Sequence, residues 1–89
     1  MTPAPQKEIT FPAPWEFRII AMGDQSASAS AGILKVFHSF GFAVTVTPGR
    51  TSSGGKYQAL HVSQEMPDRE TLNAISQELV KVPGVKLLI

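Results

Sequence analysis

Four polar side chains of this sequence are spaced so that one ligand could meet them: Arg18, Tyr57, His61 and Ser63. Arginine offers a carboxylate a rigid fork of donors, and a histidine changes charge near neutral pH. Tyr57, His61 and Ser63 are separated by even numbers of residues, so on a strand they would share one face. The plainer reading is a solvated sheet face with one ordinary histidine, because antiparallel sheets commonly show polar residues to water. Gly23-Asp24 is a second candidate. A glycine lets backbone approach a ligand, and amides that open a helix attract a carboxylate. The alternative there is a turn glycine followed by a capping aspartate. A third candidate is the glycine- and serine-rich run from Arg50 to Lys56, whose amides and two cations could cradle an anion. It lacks phosphate-loop spacing and has the composition of a mobile hairpin loop.

Other chemistry finds little to work with. The chain has no cysteine, which removes disulfides, thiolate nucleophiles and cysteine-held metal centres. Its two histidines, His38 and His61, are far apart in sequence and make no metal site. No Ser-His-Asp set or pair of carboxylates converges. We therefore expect a protein that is not an enzyme, with no catalytic residue, metal or cofactor.

These candidates need elements to hold them. Trp15, Phe17 and Ile19 alternate with Glu16, Arg18 and Ile20, which predicts a strand over residues 15–20. Pro12 and Pro14 lack backbone donors, so they belong before that strand or on an unpaired edge. Gly23-Asp24 ends it. Ile33, Val36, Phe37 and Phe40 follow helical spacing and predict a helix over about residues 27–40. Ser26, Ser28 or Ser30 is the expected N-cap, and Gly41 the left-handed stop. A β-branched alternation predicts a second strand over 42–47, a turn over 48–56 and a third strand over 57–63. Asp68 is the natural N-cap of a second helix, with Leu72, Ile75, Leu79 and Val82 as its buried stripe and Pro83-Gly84 as its end. Residues 85–89 form a short final strand.

The order β-α-β-β-α-β implies a ferredoxin-like α+β sandwich. Its four-stranded antiparallel sheet has the order 4-1-3-2, with both helices on one face. Phe17, Ile19, Val44, Val46, Leu60 and Val62 should face the helices. Arg18, Ile20, Thr45, Thr47, Tyr57, Ala59, His61 and Ser63 should line the open face, with Arg18 and His61 close together on neighbouring strands. Trp15 is expected at the core edge and His38 at the surface.

The 89 residues suit one domain over 9–89, preceded by a flexible arm over 1–8. The net charge of +1 argues against a general nucleic-acid or acidic-membrane binder. No stretch approaches the roughly 18 apolar residues of a membrane span. The polar start lacks a signal peptide's apolar region. The expected location is the cytoplasm.

Taken as an ordered set, several segments resemble the bacterial YbeD-like family of uncharacterised small proteins. They are Phe11-Pro12-x-Pro14 with residues 15–20, the 48–57 turn ending in Gly55-Lys56-Tyr57, Glu70-Thr71-Leu72-x-x-Ile75, and Val82-Pro83-x-Val85-Lys86. The Ser/Ala-rich run over 26–31 departs from that family. The family is similar in fold to ACT-like regulatory domains, such as the allosteric domain of phosphoglycerate dehydrogenase. Gly23-Asp24 stands where ACT domains often receive an amino acid. The resemblance implies a βαββαβ fold and a regulatory or interaction role, and it carries over no catalytic residue.

The first functional expectation is therefore a regulatory or adaptor domain that binds a small metabolite or a protein partner, a homodimer included. The second is an RNA-binding module. RNA-recognition domains share this element order and stack bases on rings of the first and third strands. Here only Tyr57 and His61 offer rings, so nucleic acid is the less favoured partner.

Overall fold

The alternation near the start of the chain is realised as strand β1, Ala13–Met22. In this computed structural model residues 10–89 are described; the arm expected over 1–8 lies outside them. Phe17, Ile19 and Ala21 are buried, while Glu16 before them and Arg18 among them are exposed. A short 3-10 turn, Gly23–Gln25, leads directly into helix α1, Ser26–Ser39. None of the three serines caps this helix. Its N-cap is Gln25, without a side-chain hydrogen bond. The chain is already coiled when it reaches the serines, so they fall inside the helix. Ala29, Ile33 and Phe37 form the buried stripe.

Gly41 ends α1 with φ of 86°, a conformation open to glycine at little steric cost. Its N–H donates to the His38 carbonyl at 2.9 Å, and the Phe42 N–H donates to the Phe37 carbonyl at 2.9 Å. That is the Schellman arrangement, which satisfies carbonyls the helix leaves open.

The second strand differs from expectation. Strand β2 is Thr47–Thr51, which shares only Thr47 with the expected strand and otherwise lies in the stretch that reads as a turn, and residues 42–46 carry no strand pairing. The side-chain alternation in 42–46 is nevertheless real. Phe42, Val44 and Val46 pack against the core, while Ala43 and Thr45 are exposed. Alternation reports which side chains are buried and not whether the backbone is paired. Pro48 and Gly49 belong to an exposed edge strand with a register shift, and an edge tolerates the missing donor of a proline.

Strand β3, Tyr57–Met66, is longer than its sequence signal. Helix α2, Arg69–Leu79, is capped by Asp68, whose Oδ1 accepts the Thr71 N–H at 2.7 Å. Leu72, Ile75 and Leu79 are its buried stripe. Val82 is buried too, but from the turn beyond the helix. Strand β4, Val85–Leu88, completes the sheet in the order β2-β3-β1-β4, which is the order 4-1-3-2 read from the other edge. Both central ladders of β1 are antiparallel. At the centre of the core Phe17 meets Phe37 edge to face, with ring centroids 5.2 Å apart at 79°. No helix among the described residues is long and apolar enough to cross a membrane.

The small residues of α1 permit a close approach. A Cβ on Gly32 would lie 2.5 Å from Val82 Cγ1. Gly32→Ala is therefore expected to destabilise the fold by about 1–3 kcal/mol through overpacking. In a Val82→Ala background the same change should become neutral or favourable, since alanine suits a helix better by about 1 kcal/mol. Urea unfolding of the four variants measures this, and simple additivity would refute the contact.

Asp68 gives a second prediction. The Thr71 backbone N–H, then the Thr71 hydroxyl, hold its carboxyl below the usual carboxylate range. A lowered folded-state value means the stabilisation is present at neutral pH, above the unfolded value, and is lost as pH falls through the folded one. The gap in melting temperature between wild type and Asp68→Asn should therefore shrink in acid. Circular dichroism melts across pH would show it; a constant gap would exclude a charge-dependent cap.

Candidate ligand-binding sheet face

The face of the sheet away from the helices is assembled by the β1–β3 register. Glu16 pairs with Ser63, Arg18 with His61, Ile20 with Ala59 and Met22 with Tyr57. On the outer strands Thr47 pairs with His61 and Leu87 with Ile20. The sheet thus presents two zones side by side. One is apolar, built on Ile20, Ala59 and Leu87, with Leu87 44% exposed. The other is charged.

In the charged zone Arg18 Nε lies 3.5 Å from Glu16 Oε1, and His61 Nδ1 lies 4.0 Å from Glu16 Oε2. Glu16 therefore stands between two nitrogen groups. His61 Nδ1 is buried and has no hydrogen-bond partner among the described residues. The opposite side of the ring is closed by Gly49, where any Cβ would collide with His61 Nε2. The imidazole is thus held against the edge strand with Nδ1 turned towards Glu16. Exposed ion pairs of this kind contribute only about 0–1 kcal/mol, so the trio is better explained by what it can meet than by stability. It can offer an arriving group the Arg18 fork or the Glu16 carboxylate.

Arg18 and His61 come together as expected. Ser63 stands across from Glu16, beside them. Tyr57 does not join the group. It begins β3 four residues from His61, a distance of about 13 Å along a strand, and Lys56 Nζ lies over its ring at 5.6 Å. Glu16 and Leu87 complete the face without having been singled out by sequence. Glu16 shares the parity of Arg18, which was signal enough. Leu87 stands opposite Ile20 and so on the open face, while Leu88 packs against the core, a division that the unbroken apolar run Leu87-Leu88-Ile89 does not announce.

The other two candidates meet each other. The Gly23 N–H donates to the Lys56 carbonyl at 2.8 Å, and a Cβ on Gly23 would collide with the Gly55 carbonyl oxygen. Glycine is needed at Gly23 for close packing of this loop, and its amide is already engaged. Asp24 is exposed in the 3-10 turn and gives α1 no cap. Within the loop, the Ser52 and Gly55 N–H groups bond to Tyr57 and Ser52 carbonyls, and the Tyr57 N–H bonds to Ser52 Oγ. Arg50 is exposed on β2. Two of the amides that could cradle an anion, those of Ser52 and Gly55, are thus engaged inside the loop.

Two depressions flank β1. One, of about 450 Å³, lies between Pro14, Trp15, Glu16 and residues Ser63, Gln64, Glu65. The other, of about 300 Å³, runs between β1 and α2 and is lined by Trp15, Phe17, Leu72 and Leu88 with Arg69, Asn73, Ser76 and Ile89.

Comparison with solved structures supports the fold. The chain is similar to protein HP0495 from H. pylori, with a TM-score of 0.79 and 21% identity over 100% of this chain and 96% of that one. It is also similar to the C-terminal domain of the MgtC protein from Mycobacterium tuberculosis, with a TM-score of 0.62 and 18% identity over 85% and 82% of the two chains. At such identities the likeness concerns the fold alone. No curated protein matches the chain. The family pattern described as protein of unknown function, DUF493, matches residues 6–89. That match takes in every described element, and the chain belongs to the DUF493 family.

Proposed function

We propose that this domain is a non-enzymatic regulatory or adaptor module that binds a protein partner through its uncovered sheet face. The observation that carries this reading is the adjacency, on one face, of an apolar zone of half-buried Ile20 and Ala59 with exposed Leu87 and the Glu16–Arg18–His61 trio. Apolar area supplies affinity and the neighbouring charges supply orientation, which is the division of labour found at protein interfaces. A flat face of this composition suits a protein better than a small metabolite, which requires a concave site. A second copy is one protein the face could take. The trio carries both signs of charge, so a two-fold contact could set Arg18 of one copy against Glu16 of the other. RNA has less to stand on. Of the central positions of β1 and β3, Arg18, Ile20 and Ala59 carry no ring and His61 carries one, where stacking modules use several.

The test is a pair of face variants, Leu87→Glu and Arg18→Glu, both at exposed positions. We expect unchanged melting temperatures and a loss of partner or self-association of about tenfold or more, in line with interface anchors. Sedimentation reads self-association, and affinity capture with wild type and variants side by side reads the partner. A wild type that stays monomeric at millimolar concentration, with captured proteins identical in both variants, would refute the reading.

A further inference from the structure

One group on the open face has a charge that the medium sets. Histidine is the side chain that ordinarily changes charge between about pH 5 and 8. His61 stands in the middle of the face, across from Arg18 of β1 on one side and Thr47 of β2 on the other. Its side chain is 31% exposed, so protons can reach it, while its Nδ1 atom is buried. That atom has no hydrogen-bond partner among the described residues, and a buried polar atom in this condition is unfavourable until a partner comes. The carboxylate on its side is Glu16, with Oε2 at 4.0 Å. That distance is beyond a hydrogen bond.

Two features make Glu16 the group that moves. The imidazole has little room to turn, because Gly49 backs it so closely that a Cβ there would collide with Nε2. Glu16 is exposed, and its other oxygen lies 3.5 Å from Arg18 Nε, at the outer limit of a hydrogen bond. Its carboxylate is thus shared between two nitrogen groups and held closely by neither. The other titratable or charged residues of these three strands are Tyr57 and Glu65 on β3 and Arg50 on β2. Tyr57 and Glu65 each stand four residues from His61, about 13 Å along a strand. Arg50 is exposed, next to Gly49 on the edge strand. Of the two acidic residues, Glu16 is the one beside the ring.

We propose that His61 is a proton switch that decides which charge the open face presents. With His61 neutral, Glu16 stays with Arg18, and the pair offers both signs of charge at once. A protonated imidazole carries an N–H on both nitrogens. Once His61 takes a proton from solvent, its Nδ1–H is a charge-assisted donor aimed at Glu16, and the carboxylate closes on it from 4.0 Å. The Arg18 fork is then left free, and the trio carries one more positive charge. An arriving carboxylate meets an open guanidinium in the protonated state and a competing Glu16 in the neutral one. Falling pH therefore turns the face towards acidic partners, and rising pH turns it back. The choice of partner rests on the reading of this face as a binding surface; the switch itself is a property of the free chain.

The experiment is an NMR titration of the whole chain across the histidine range, about pH 5 to 8. It follows the His61 ring, the Glu16 carboxyl carbon and the Arg18 guanidinium signals. We expect the three residues to change together with one midpoint. His38, exposed on α1, is the internal reference. Glu16→Gln should lower the proton affinity of His61 about threefold, the scale of an exposed ion pair, leave that of His38 unchanged and abolish the Arg18 response. In His61→Gln the Glu16 and Arg18 signals should show no step at that midpoint. Three results would overturn the proposal. One is an Arg18 signal that does not move with His61. Another is an Arg18 response that survives Glu16→Gln, which would mean that Arg18 senses the charge of His61 and not the movement of Glu16. The last is a Glu16 and Arg18 step that persists in His61→Gln. Each of these leaves the Leu87→Glu test of the face untouched, and a failure of that test leaves the titration of the free chain as it stands.

Discussion

The antiparallel ladder between β1 and β3 is the constraint on which the rest of this domain depends. It is paired from Ala13–Met66 to Met22–Tyr57, and it sets the face of every side chain on the two central strands. Phe17 and Ile19 meet Val62 and Leu60 across it, and all four are buried. A slip of one residue would turn this apolar set to solvent and bring Arg18 and His61 into the core, so the register is strongly specified. Phe17 then meets Phe37 of α1 edge to face. Each ring is worth about 1.5–3 kcal/mol by burial, and the aromatic geometry adds roughly 0.5–1.5 kcal/mol.

The same register that builds the core builds the candidate site. Once Phe17 and Ile19 point to the helices, Glu16, Arg18 and Ile20 must point away, and β3 brings His61, Ser63 and Ala59 opposite them. The face is therefore a consequence of core packing, and its composition is free to serve binding. The loops at the far end are held differently. Backbone contacts, Gly23 to Lys56 and Met22 to Gly84, lock the start of α1 to the β2–β3 and α2–β4 connections. That end is a structural joint, which explains why Gly23 and the Lys56 loop lie together without forming an open cradle.

Shared fold with HP0495 and with the MgtC domain places this chain in a common architecture. Architecture of this kind hosts many functions, and function resides in the side chains displayed on it. On this chain the displayed side chains of the open face combine mixed charge with apolar area.

Much of this was legible without coordinates because it is local. Period-two and period-3.6 spacing identified β1, α1, β3 and α2 and divided their buried from their exposed residues. Asp68 and Gly41 announced a cap and a stop, because each acts on amides or carbonyls within a few residues. Pro12 stands before β1, as suits a residue without a donor, whereas Pro14 falls inside β1 across from Glu65 of β3. Tertiary structure alone decided the features that depend on partners distant in the chain. Backbone pairing moved β2 from 42–47 to Thr47–Thr51, since burial of Val44 and Val46 requires no hydrogen-bonded neighbour. Pairing with β1 turned Leu87 to the open face opposite Ile20 and Leu88 to the core, a choice that the apolar run Leu87-Leu88-Ile89 leaves open until a distant strand sets its register.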